Sequence, residues 1–164
     1  MDSLLQSSTQ FVSNAIQIEL IPTYSYWRLY ITDNELKKHM DRPSCQYSTT
    51  LCLGYDVSNV DKNIYSDYKW PIFIEKDPKK GGLKDGKYVT EHTKGIKVIL
   101  NPGDMLVYKG NLCEHWRDAF EGKDCGQVFL HYNNEATKGS SDNIFDGRPH
   151  LGLPSWFKGS KLQK

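Results

Sequence analysis

The sequence predicts a mainly β protein, a jelly-roll or related barrel core behind one N-terminal helix. Three observations carry that prediction. Apolar residues at helical spacing are confined to the start of the chain, where Leu4, Leu5, Phe11, Val12, Ala15 and Ile16 recur on one face. Beyond Pro22 the chain breaks into about seven or eight short β-branched and aromatic runs, punctuated by Gly, Pro, Asn and Asp. Neither an internal repeat nor a linker-like stretch divides those runs, so residues 1–164 read as a single domain.

Taken in order, the helix is expected over about residues 2–17, with Asp2 or Ser3 available as its cap. "YSYWRLYI" (24–31) has the composition of a strand, and "TDNE" turns the chain. "LKKHMD" is a short segment before a second strand, "YSTTLCLGY". "KWPIFIE" follows, its Pro71 marking an edge strand or an irregular start. The lysine-rich stretch 76–87 reads as a solvated hairpin end. "GIKVIL", the tight turn "NPGD", "MLVY" and finally "QVFLHYNN" complete a core over about 20–134. The Gly/Pro/Ser-rich remainder, 135–164, is expected to be irregular and pinned to the core by Phe145, Leu151, Leu153 and Trp156.

Bulk properties exclude several classes. A chain of 164 residues is long enough to bury a core without staples. The net charge of +1 carries no footprint for nucleic acid or an anionic membrane. Cys45, Cys52, Cys113 and Cys125 include no CxxC pair, so they are expected to be reduced thiols in a cytoplasmic protein. The N-terminus lacks the basic and apolar regions of a signal peptide, and no apolar run has the length of a membrane span.

Candidate chemistry begins at His39 and Asp41, two apart before the second clear strand. Residues at that spacing on a strand share a face, which makes them a solvent-facing rim or two ligands of one metal site. A third candidate, His115, closes the run "NPGDMLVYKGNLCEH", whose turn, strand and glycine bring a side chain back toward a barrel mouth. Two imidazoles and one carboxylate form the facial triad that holds Fe(II) while leaving positions open. An HxD pair alone is equally a surface turn, and a histidine in a β protein is commonly no more than hydrogen-bonded.

The surrounding residues carry a resemblance. "LIPTYSYWRLYITDNELKKHMDRPSCQYSTTLCLGYD" (20–56) and "NPGDMLVYKGNLCEHWRDAFEGKDCGQVFLHY" (101–132) resemble the two halves of the 2-oxoglutarate/Fe(II)-dependent oxygenase core. The form is closest to the prolyl 4-hydroxylase-like branch of bacteria, phages and algae. That resemblance covers roughly Leu20 to Asn134. It implies a double-stranded β-helix with His39, Asp41 and His115 as iron ligands. Tyr30 would hydrogen-bond the 2-oxoglutarate cosubstrate. Ascorbate is an optional further cofactor. The implied reaction hydroxylates a C–H bond, a prolyl residue in a protein or peptide first and a small molecule second, and releases succinate and CO₂. Residues 56–69 or 76–91 would supply the substrate-binding loop.

One feature departs from the family pattern. An Arg or Lys near the start of the last core strand normally pairs with the cosubstrate's distal carboxylate, and "GQVFLHY" contains neither. Lys123 stands at the family position, while Arg117 lies two residues after His115 and shares its face if that segment is extended. Around them, Ser48, Thr50 and Cys52 alternate on one strand face, Arg42 is a rim residue, and Trp116 and His131 face either the pocket or the core. Two rival readings remain. A cupin-type metal barrel would explain Gly103, Gly110 and His115, but it calls for HxH and a following Glu where this chain has HxD. A non-enzymatic β-sandwich interaction module would make the three residues incidental.

Overall fold

The computed structural model describes residues 2–63, 67–77, 94–139 and 144, with the backbone of 83–84 and 87–88. Phe145, Leu151, Leu153 and Trp156 lie outside the described residues, as does most of the stretch 76–91.

The helical spacing at the start produces α1 (Asp2–Ile16), whose Leu5 and Val12 are buried. Gln17 ends it in the left-handed conformation (φ 57°), and the Ile18 amide reaches back to the Ser13 carbonyl at 3.2 Å. Among the described residues eight strands then form the core: β1 (Leu20–Ile31), β2 (Leu36–His39), β3 (Tyr47–Asp56), β4 (Ile72–Ile74), β7 (Ile96–Val98), β8 (Met105–Tyr108), β9 (His115–Arg117) and β10 (Asp124–Asn134). A two-stranded ribbon, β5 (Leu83–Lys84) with β6 (Lys87–Tyr88), falls where the hairpin end was expected.

The core strands divide into two four-stranded sheets, ordered β1-β10-β3-β8 and β2-β9-β4-β7, and every pair is antiparallel. Consecutive core strands alternate between the sheets except at β4 and β7, which pair within the small sheet, and this is the jelly-roll layout the sequence predicted. Pro71 precedes β4, an interior strand of its sheet, so it marks an irregular start and not an edge. In "NPGD", Gly103 takes φ 92° and the Asp104 amide bonds the Asn101 carbonyl at 2.9 Å. This is a type II turn, whose third position needs a residue tolerant of positive φ.

β10 is the organising strand. Its even-numbered residues Val128, Leu130 and Tyr132 pack with Leu5, Val12 and Leu20 in the cluster under α1. Burying each such side chain contributes about 1.5–3 kcal/mol. Its odd-numbered residues Cys125, Gln127, Phe129 and His131 face the space between the sheets. β3 repeats the division: Leu51 joins the cluster under the helix, while Ser48, Thr50 and Cys52 turn inward. One side of the large sheet is therefore dry, and the other is a polar interior. Among the described residues no helix is long and apolar enough to cross a membrane.

Candidate metal centre and anion pocket

β2 and β9 pair so that His39 lies opposite His115 and Leu36 opposite Arg117. The two imidazole centroids are 4.3 Å apart. Asp41 is not on the strand face that the HxD spacing suggested, because β2 ends at His39. It reaches the same point from the following turn, where its amide bonds the Gly110 carbonyl at 2.9 Å.

The orientation of each ring is fixed locally. His39 Nδ1 lies 2.7 Å from the Lys37 carbonyl, and His115 Nδ1 lies 2.9 Å from the Cys113 carbonyl. A carbonyl only accepts, so both Nδ1 atoms carry a proton and both Nε2 atoms are left to point elsewhere. They point at one atom. Asp41 Oδ1 lies 3.5 Å from His39 Nε2 and 3.6 Å from His115 Nε2.

Electrostatics follow from the burial. His115 is only 1% exposed, and burial pulls its pKa down to about 4 against the opposing attraction of Asp41. Burial pushes on His39 in the same sense, but the bonds to Asp41 and the Lys37 carbonyl outweigh it and leave its pKa raised. For Asp41, burial alone would raise the pKa. The His39 hydrogen bond, the charges of His115 and His131, and the Ser48 hydroxyl overcome this and hold the carboxyl well below the usual range.

Further along the face of β9, Arg117 is 2% exposed. Its Nη1 donates to the Trp70 carbonyl at 2.8 Å, its Nη2 lies 3.5 Å from Gln127 Oε1, and its guanidinium stands 4.7 Å over the Trp70 ring. Nε has no hydrogen-bond partner, and no carboxylate pairs with this cation among the described residues. Thr50 also donates to Gln127 Oε1 at 3.0 Å. Tyr30 packs edge-on against Trp70 with centroids 4.8 Å apart, and Arg28 stands 4.2 Å over its ring. A buried guanidinium with no carboxylate partner is costly, which makes this end of the interior a candidate site for an anion.

The remaining candidates separate cleanly. Lys123 lies outside the barrel, its side chain 65% exposed and paired with Asp56 at 3.4 Å. Trp116 alternates away from His115 and Arg117; it stacks on Phe73 at 5.5 Å and under Lys38 at 4.0 Å. Arg42 joins Tyr24, Tyr26, His39, Met40 and Asp41 around a cleft of about 340 Å³. Val57 and Tyr68, in the first candidate loop, pack on the cluster of Tyr30, Trp70 and Phe120.

Sequence reasoning missed Gln127 and Trp70. Alternation along β10 would have placed Gln127 inward with His131. Nothing local marks Trp70, whose role depends on β4 lying beside β9.

This fold has solved counterparts. The chain superposes on AviO1 from Streptomyces viridochromogenes Tue57 with a TM-score of 0.54 at 15% identity, over 79% of this chain and 57% of that one. The nickel complex of the non-heme monooxygenase ThoJ matches with a TM-score of 0.50 at 10% identity, over 77% and 49%. An oxidoreductase of the 2OG-Fe(II) oxygenase family from Burkholderia pseudomallei gives 0.48 at 11%, over 76% and 51%. The chain spans about half the length of these solved proteins. The likeness to AviO1 and ThoJ is one of fold. No protein-family model and no curated relative matches the chain.

Proposed function

We propose that the chain is an Fe(II)- and 2-oxoglutarate-dependent oxygenase that hydroxylates a C–H bond, with a prolyl residue in a protein or peptide as its substrate. One observation carries the reading: two imidazoles, each with Nδ1 tied to a backbone carbonyl, turn their Nε2 atoms toward the same carboxylate oxygen. The donor set fits the ion. Three donors about 2.1 Å from a common metal and at right angles to one another lie about 3.0 Å apart. The two histidine-to-carboxylate spacings exceed that by about half an ångström, and all three donors lie within 4.8 Å of one another.

Ferrous iron, when bound, supplies O₂ activation coupled to oxidative decarboxylation of 2-oxoglutarate to succinate and CO₂. The chain's own residues do the rest. His39, Asp41 and His115 bind the ion and leave half its shell to exogenous ligands. Burial keeps His115 neutral and therefore able to donate its lone pair at ordinary pH.

Arg117 receives the distal carboxylate. It lies two residues beyond His115 on the same strand face, about 6.6 Å along the strand, comparable to the length of a five-carbon dicarboxylate. Gln127 and Thr50 steady that end, and Tyr30 offers a hydroxyl beside it. Tyr24 and Tyr26 wall the cleft over His39 and Asp41 with aromatic faces suited to a pyrrolidine ring, and its volume suits a single side chain.

The test is succinate release from Fe(II), 2-oxoglutarate and a panel of proline-containing peptides. Turnover that vanishes in His115→Ala and Asp41→Ala supports the reading. Absence of both Fe(II) binding and 2-oxoglutarate turnover removes it. Turnover with free amino acids alone would keep the oxygenase and discard the peptide substrate.

A further inference from the structure

We infer that Ser48 and His131 are positioning residues that hold Asp41 as a one-oxygen metal ligand, an assignment that rests on the metal reading above. The two oxygens of Asp41 have different surroundings. Oδ1 faces both imidazoles, whereas Oδ2 accepts the Ser48 hydroxyl at 2.6 Å. That is a short, charge-assisted bond.

The direction of donation can be worked out. Ser48 has one proton, and it is committed to a carboxylate that can only accept. Ser48 Oγ also lies 3.1 Å from His131 Nδ1, so toward the imidazole it accepts and His131 Nδ1 carries the proton. A single line of donation therefore runs from His131 to Ser48 to Asp41.

Each member is anchored from outside the line. Ser48 and His131 are register partners across β3 and β10. The His131 ring packs 4.5 Å from Tyr24 and 5.8 Å from Tyr26. Gly110 closes the remaining side, because a Cβ there would run into both Ser48 Oγ and Asp41 Oδ2. With Oδ2 tied back, only Oδ1 is offered to an ion. A carboxylate free to use both oxygens would occupy a further coordination position. Outer partners of this kind typically change metal affinity 10- to 100-fold.

The experiment uses cobalt(II), whose visible absorption reports coordination number, and needs no turnover. Expected for Ser48→Ala is Co²⁺ binding weakened about 10- to 100-fold, with a changed absorption intensity. Ser48→Thr, which keeps the hydroxyl, should restore both. His131→Leu should move the same way, and His131→Asn, which keeps a donor near Nδ1, should move less. Wild-type affinity and spectrum in Ser48→Ala would overturn the assignment. Should Ser48→Ala fail to fold, equal Co²⁺ affinity and spectra in wild type, His131→Leu and His131→Asn would overturn it instead. A wild-type protein that binds no Co²⁺ would remove the metal reading and this assignment together. An unaffected Ser48→Ala in a protein that does bind would remove the assignment alone.

Discussion

His115 makes the stability of the metal-free protein depend on pH in a defined window. Its ring is buried, donates Nδ1–H to Cys113, and meets Tyr108 edge-on at 4.7 Å. Burial lowers its pKa from 6.5 to about 4 in the folded state. Between those values the unfolded chain binds a proton that the folded chain refuses, so stability falls as pH falls from about 6.5 to about 4. The gap, at about 1.4 kcal/mol per pH unit, is worth about 3 kcal/mol, or about 6–12 °C in melting temperature for a chain of this size. Two neighbours act differently. The raised pKa of His39 gives a contribution that is full below pH 6.5 and lost as pH rises. The depressed pKa of Asp41 gives one that is present above its ordinary carboxylate value and lost only at stronger acidity. Thermal melts of chelator-treated wild type and His115→Gln at pH 7 and pH 4.5 isolate the His115 part. The wild type should lose several degrees more than the variant. Parallel losses would refute the claim that burial keeps this imidazole neutral.

The two basic candidates predict opposite results. Arg117→Met should weaken 2-oxoglutarate binding at least about 100-fold, followed by tryptophan fluorescence, yet leave the ligand-free protein as stable or more so, because an uncompensated buried charge has been removed. Lys123→Ala breaks only an exposed pair, costs at most about 1 kcal/mol in denaturant titrations, and should leave 2-oxoglutarate affinity unchanged. Gly110→Ala should weaken Co²⁺ binding, read by titration, and destabilise the fold by about 1–3 kcal/mol in thermal melts, through overpacking against Ser48 and Asp41.

Much of the architecture was legible because its signals are local. The helix spacing, the NPGD turn and most of the core strands follow from patterns of a few residues. Assembly of the site was only partly so. The HxD pair was visible, but its premise of one strand face was not met: Asp41 lies past the end of β2 and arrives through a bond to Gly110, sixty-nine residues along the chain. β9 has three residues, too few for alternation to announce it, so the inward direction of Arg117 depended on a pairing that sequence does not display. β10 begins at Asp124 instead of Gln127, and Lys123 stands just outside it, close enough in sequence to look like the family's basic residue. Proximity along the chain could not separate a lysine facing solvent from an arginine facing the interior.

The tethers on the two histidines have a consequence for assembly. Each carbonyl comes from two residues earlier in the same segment, so each ring is aimed before the barrel closes. Only the meeting of β2 with β9 remains to be achieved, and those strands are four and three residues long with an irregular register between them. An ion gripped by His39, Asp41 and His115 would act as a clasp on this irregular seam of the small sheet. The free energy with which the protein holds its metal is then the same free energy with which the metal holds that seam shut.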